Sequence, residues 1–132
     1  MISFKSFSDD VVSNVLIRFN SFDYRLSLRE GPFSNVRVVG NILGVQSYCP
    51  AGALFDSNVL IATAPCGMNA VSLSAPPYLR VQAPIDFHLA SSGPFVDFVS
   101  SDNGSDYMLE TDYDGQARPM GPRRDAGADE KQ

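Results

Sequence analysis

The chain reads as an all-β protein, an antiparallel β-sandwich of jelly-roll type with a flexible C-terminal tail, on three observations. Apolar and polar residues alternate with period two along most of residues 15–110. Beyond residue 50 short runs of this kind recur about every ten residues. Most of the 9 prolines and 10 glycines fall between the runs, where turns belong.

The clearest strand is residues 22–29, where Phe22, Tyr24, Leu26 and Leu28 alternate with Asp23, Arg25, Ser27 and Arg29. Only a half-buried strand has that period. Val15, Ile17 and Phe19 alternate in the same way just before it, with Asn20 and Ser21 as the turn, so the pair is expected to form a hairpin. Residues 36–45 make a long β-branched strand in which Gly40 and Gly44 mark a bulge or bend. Shorter strands are expected at 59–63, 70–74, 78–82, 85–89, 95–99 and 107–110. The one helical candidate is a single turn over 8–14, and no internal repeat is legible.

Residues 112–132 lack Val, Ile, Leu and Phe and hold five acids and four bases. Such a segment buries too little apolar surface to offset its ordering entropy, so it reads as a tail, or as an arm that orders on a neighbour. The domain is therefore expected to span residues 1–111 and the polar tail 112–132. Arg118, Arg123 and Arg124 are the groups that would dock the tail on an acidic partner.

A length of 132 residues with 44% hydrophobic composition is enough for one core that needs neither metal nor disulfide. The net charge of −5, with a pI near 4.6, argues against nucleic acid or an anionic membrane surface as main partner. One histidine and two cysteines make no four-ligand zinc site without carboxylates. The first residues lack the apolar core of a signal peptide, and the longest apolar run, Val59 to Ala62, is too short to span a bilayer, so no membrane insertion is expected. Cys49 and Cys66 both stand beside turn residues; two semi-buried free thiols is the favoured reading and a disulfide the other.

Three patterns bear on chemistry. His88 and Asp86 share one face of the strand at 85–89, with Phe87 opposite, which makes His88 an exposed strand histidine; a nucleophile, Cys66 for instance, would have to converge on it for hydrolase or isomerase chemistry. Glu110, Asp112, Asp114 and Gly115 reproduce the first half of an EF-hand loop and are the candidate calcium ligands, although the twelfth position is Gly121 rather than an acid. Asn103, Gly104 and Ser105 match the glycosylation sequon, but Asn-Gly turn chemistry explains them more simply. No phosphate-binding glycine loop and no catalytic signature is present, and no cofactor is expected.

The segment from Val36 to Val81 combines a Val-rich strand (Val36, Val38, Val39, Ile42), a second strand (Val59, Leu60, Ile61, Ala62, Thr63) and the turn Ala64, Pro65, Cys66, Gly67, Met68. Over about a third of the chain this pattern resembles small β-sandwich domains of bacteriophage tail and head fibres or decoration proteins. Ala64, Met68 and Ala70 depart from the residues usual there. The resemblance implies a non-enzymatic virion subunit, synthesised in the host cytoplasm. Its implied partners are copies of itself, a trimer being favoured, other virion proteins and a host surface glycan. Outward apolar residues such as Leu16 and Val39 suit faces covered by neighbours. Two other readings stay open, a small-molecule or glycan-binding β module and a small hydrolase or isomerase using His88.

Overall fold

The computed structural model describes residues 2–5, 11–45, 47, 49–90, 92–100 and 109–131. The chain is all-β, with no helix among these residues. Its strands are β1 (Ile2–Lys5), β2 (Val12–Arg18), β3 (Leu26–Glu30), β4 (Phe33–Val39), β5 (Ile42–Leu43), β6 (Ala53–Asp56), β7 (Val59–Ile61), β8 (Val71–Leu73), β9 (Tyr78–Arg80) and β10 (Asp86–Leu89).

Among the described residues three of the four sheets are parallel, β1-β3, β2-β4-β6 and β5-β7-β8, and the pair β10-β9 is antiparallel. This corrects the expected antiparallel sandwich. In the three parallel sheets each strand pair joins residues one circuit apart in the sequence, so this part of the body is a stack of coils. Val15 lies beside Val36 and Val36 beside Ala53; Ile42 lies beside Val59 and Val59 beside Val71. The circuit thus shortens from 21 residues to 17 and then to 12. The expected hairpin is absent because β2 and β3 lie on different faces of one coil, Val15 and Ile17 pairing with β4 and Leu26 and Leu28 with β1.

The same turn is built in each coil. Phe19, Gly40, Ser57 and Asn69 all have positive φ, and Asn20, Asn41 and Asn58 follow the first three of them. The three asparagines form a ladder. Asn41 Oδ1 accepts the backbone N–H of Asn20 at 3.0 Å, and Asn58 Oδ1 accepts that of Asn41 at 2.9 Å. The side-chain amide of Asn41 donates to the carbonyls of Ile17 and Val39. Asn41 and Asn58 are fully buried, so the ladder supplies partners for backbone groups that water does not reach.

Two apolar clusters follow. One fills the coils, with Ile17, Leu26, Leu28, Val36, Val38, Leu43 and Phe55. The other lies between the outer side of the β5-β7-β8 sheet and the chain beyond residue 78, where Ile42, Val59 and Ile61 meet Tyr78, Leu89, Phe95, Val99 and Ala126. Val39 belongs to this second cluster and is buried, whereas Leu16 is exposed as expected.

The segment expected to be a tail packs on the body. Asp112, Arg118, Asp125, Ala126, Asp129 and Glu130 are all buried. Arg118 holds this segment. Its Nε donates to Glu130 Oε1 at 2.8 Å, Nη1 and Nη2 donate to the Gly127 carbonyl, Nη2 also donates to the Asp125 carbonyl, and the guanidinium lies 4.5 Å from the centroid of the Phe19 ring. Gly127 donates to the Gly40 carbonyl at φ +95°, where an added Cβ would come within 2.7 Å of Ser21 Oγ. Composition does not reveal this, because the segment is ordered by polar contacts to the body rather than by its own apolar surface.

The expected strands at 59–63, 70–74, 78–82 and 85–89 correspond to β7 to β10, while of 95–99 residues 95–97 are turn and Val99 forms an isolated antiparallel bridge with Arg124. Residues 107 and 108 of the expected strand at 107–110, the sequon at 103–105 and residues 8–10 of the expected helical turn lie outside the described residues; Val12 to Asn14 are strand.

Cys49 and Cys66 are joined in a disulfide with a sequence separation of 17, one coil length, so the bond staples successive circuits. The reading as free thiols is corrected, since turn residues bring the two cysteines together only once the coils stack. Replacing both cysteines with serine is expected to lower stability by about 3 kcal/mol, the closure entropy of a loop of this size. Urea unfolding followed by circular dichroism checks this, and an unchanged midpoint would contradict it.

Candidate functional site

Three distant segments converge on His88. The pairing of Leu89 with Tyr78 and of Asp86 with Arg80 fixes β10, so Asp86 and His88 project on one face while Leu89 is buried in the core. The expected alternation thus holds, and His88 Nδ1 lies 2.5 Å from Asp86 Oδ1. The second segment is a turn built by Asp112, whose Oδ1 accepts the N–H groups of Asp114 and Gln116. Gly115, at φ +83°, lets the chain close there. This turn presents Asp114 Oδ2 to His88 Nε2 at 2.7 Å and the Tyr113 hydroxyl to Nδ1 at 2.8 Å. The third segment brings Asp129, whose Oδ2 accepts the Leu89 N–H at 2.8 Å. A cavity of about 310 Å³ adjoins the cluster, with Leu79, Gln116 and Lys131 beside His88 and Asp129.

The electrostatics follow from this geometry. Hydrogen bonds to Asp86 and then Asp114 raise the His88 pKa, because both carboxylates favour the imidazolium. The same bond, with one from the His88 backbone, lowers that of Asp86. Asp129 is only 4% exposed, and burial pushes its carboxyl up, against the hydrogen bond from Leu89. Partial desolvation and the charges of Asp114 and Asp129 push the Tyr113 hydroxyl up to about 12.

Of the expected calcium ligands, only Asp114 joins a cluster, and it does so with His88 and Asp129. Both oxygens of Asp112 are taken by backbone N–H groups, Oδ2 by that of Glu130, and Glu110 contributes its carbonyl to the Arg118 N–H. The half EF-hand pattern is thus a turn rather than a calcium loop. The docking arginines are also placed differently from expectation. Arg118 is buried within its own chain, Arg124 Nε donates to the Leu109 carbonyl, and Arg123 stays exposed beside Asp97, whose side chain accepts its backbone N–H. Cys66 has no thiol to offer His88, because the disulfide uses both sulfurs. Asp129 and Tyr113 escaped the sequence reading; nothing in spacing links them to a histidine 41 and 25 residues earlier.

Compared with known proteins, the chain matches no family model, no curated protein and no solved structure.

Proposed function

We propose that this protein is a non-enzymatic structural or binding subunit of an assembled particle, of the fibre, decoration or cement type in bacteriophage virions, and that it associates with copies of itself or other particle proteins. The observation that carries this reading is the open end of the coil stack. Strand β2, seven residues long, is the end strand of the order β2-β4-β6, and among the described strands β4 is the one that pairs with it. An edge of that length offers a row of backbone donors and acceptors to another chain. Val11 and Leu16, 52% and 39% exposed, stand on or beside it. A trimer is the favoured assembly.

Size-exclusion chromatography with light scattering tests the proposal over a range of concentrations. An oligomer is expected, shifted towards monomer by Leu16→Lys, since a charge on an edge strand opposes pairing. A compact monomer at high concentration overturns it.

A glycan-binding role is the second reading. It is favoured by a cleft of about 560 Å³ where Ser57, Asn69, Asp97 and Arg123 supply polar groups beside Phe98. Hydrolase chemistry has less support, for His88 lines a cavity but its hydrogen-bond partners are Asp86, Asp114 and Tyr113, with no activated nucleophile among them.

A further inference from the structure

A ring nitrogen of His88, a carboxylate oxygen of Asp114 and one of Asp129 lie within 4.8 Å of one another, and Nε2 is the nitrogen that meets Asp114. We propose that these three groups form a binding site for one divalent first-row transition cation, zinc being the best fit, with water from the adjoining cavity completing its coordination.

The donor set selects the metal class. One imidazole nitrogen and two carboxylate oxygens suit zinc and its neighbours, whereas calcium and magnesium take oxygen ligands. The imidazole is already oriented as a ligand. Asp86 Oδ1 at 2.5 Å and the Tyr113 hydroxyl at 2.8 Å engage Nδ1, which leaves Nε2 facing Asp114. A carboxylate behind the distal nitrogen is the usual support of a metal-bound histidine.

The carboxylates are anchored by backbone. Asp129 is held by the Leu89 N–H, and Asp114 sits on the turn that Asp112 closes. Asp129 is also buried at 4% exposure, unlike an ordinary surface acid, and it faces further negative charge from Asp112 and Asp114. A cation placed there offsets charge that one imidazole shares among Asp86, Asp114 and Asp129. The fit needs little movement. The contact of 2.7 Å between Nε2 and Asp114 Oδ2 opens to about 3.3 Å around a tetrahedral ion with bonds of roughly 2.0–2.1 Å. The cavity of about 310 Å³ gives access and room for water.

The test is calorimetric titration of the chelator-stripped full chain with zinc chloride, paired with the visible absorption of the cobalt(II)-loaded protein. One zinc per chain is expected, with cobalt d–d bands in the visible. Asp86→Asn, which leaves all three ligands in place, should weaken zinc binding about 10–100-fold. His88→Ala should abolish the one-to-one binding and the cobalt bands. The His88 side chain is 41% exposed and that of Asp86 33%, so both variants are expected to keep the wild-type circular dichroism. Absence of zinc heat in the unmodified protein overturns the site, as does equal affinity in His88→Ala, which would mean adventitious surface binding. Light scattering of the zinc-free protein reads assembly separately, so either proposal can fail without the other.

Discussion

Arg118→Ala is expected to be the most destabilising single substitution in the C-terminal segment, costing about 3–5 kcal/mol, the cost of leaving one charge of a buried pair unmatched. The side chains of Arg118 and Glu130 are 0% and 1% exposed. Removing the guanidinium takes one donor and the countercharge from Glu130, and takes the guanidinium donors from the carbonyls of Asp125 and Gly127, in a place that water does not reach. It also removes the cation over the Phe19 ring, through which the segment grips the coils. Glu130 has further partners, since its oxygens accept the N–H groups of Asp125 and Met120. A Glu130→Gln change in the Arg118→Ala background should therefore recover part of the loss, because a neutral amide costs less to bury than an unpaired carboxylate. Urea unfolding with circular dichroism, together with proteolysis of residues 112–131, reads both effects. Wild-type stability in Arg118→Ala would show that the ion pair does not hold the segment.

Asn41→Leu is expected to cost about 3 kcal/mol or more, as each buried polar group that loses its partner costs about 1–3 kcal/mol. Leucine has the branching and the number of side-chain heavy atoms of asparagine but a larger volume, so overpacking adds to the loss of hydrogen bonds. Asn20 loses its acceptor, and the carbonyls of Ile17 and Val39 lose a donor, all within the stack. The exposed rung between Asn35 and Asn14 is the control. There Asn35 Nδ2 donates to Asn14 Oδ1 at 2.9 Å in reach of solvent, and Asn35 has φ +51°. Asn35→Gly keeps that backbone conformation open and should cost less than about 1 kcal/mol. Equal losses at both positions would mean that burial is not what makes the ladder stabilising.

The candidate site was legible only where it is local. Asp86 and His88 stand two residues apart on one strand, so period two placed them on one face, and their side chains do meet. Asp114 was visible as a chelating acid, but its partner was not, since the contact with His88 depends on a turn closing 26 residues further on. Asp129 carried no signal at all; its place is set by the N–H of Leu89, 40 residues away. Arg118 pointed the wrong way, because an arginine in a polar segment looks solvated until a buried carboxylate is found beside it.

The sequence by itself determined part of the local geometry of this protein: an all-β chain, strands near β7 to β10, and the side-chain faces of β10. Each follows from a period that neighbouring residues enforce on one another. Along residues 22–29 the expected alternation fails, since Tyr24 is exposed and Ser27 buried. Tertiary structure decided the direction and partners of pairing, the disulfide, and the order of residues 112–131. Alternation is the same in a parallel and an antiparallel strand, and circuits of 21, 17 and 12 residues leave no constant period to detect. Only when the coils stack do Asn20, Asn41 and Asn58 fall into one column, and Cys49 reach Cys66.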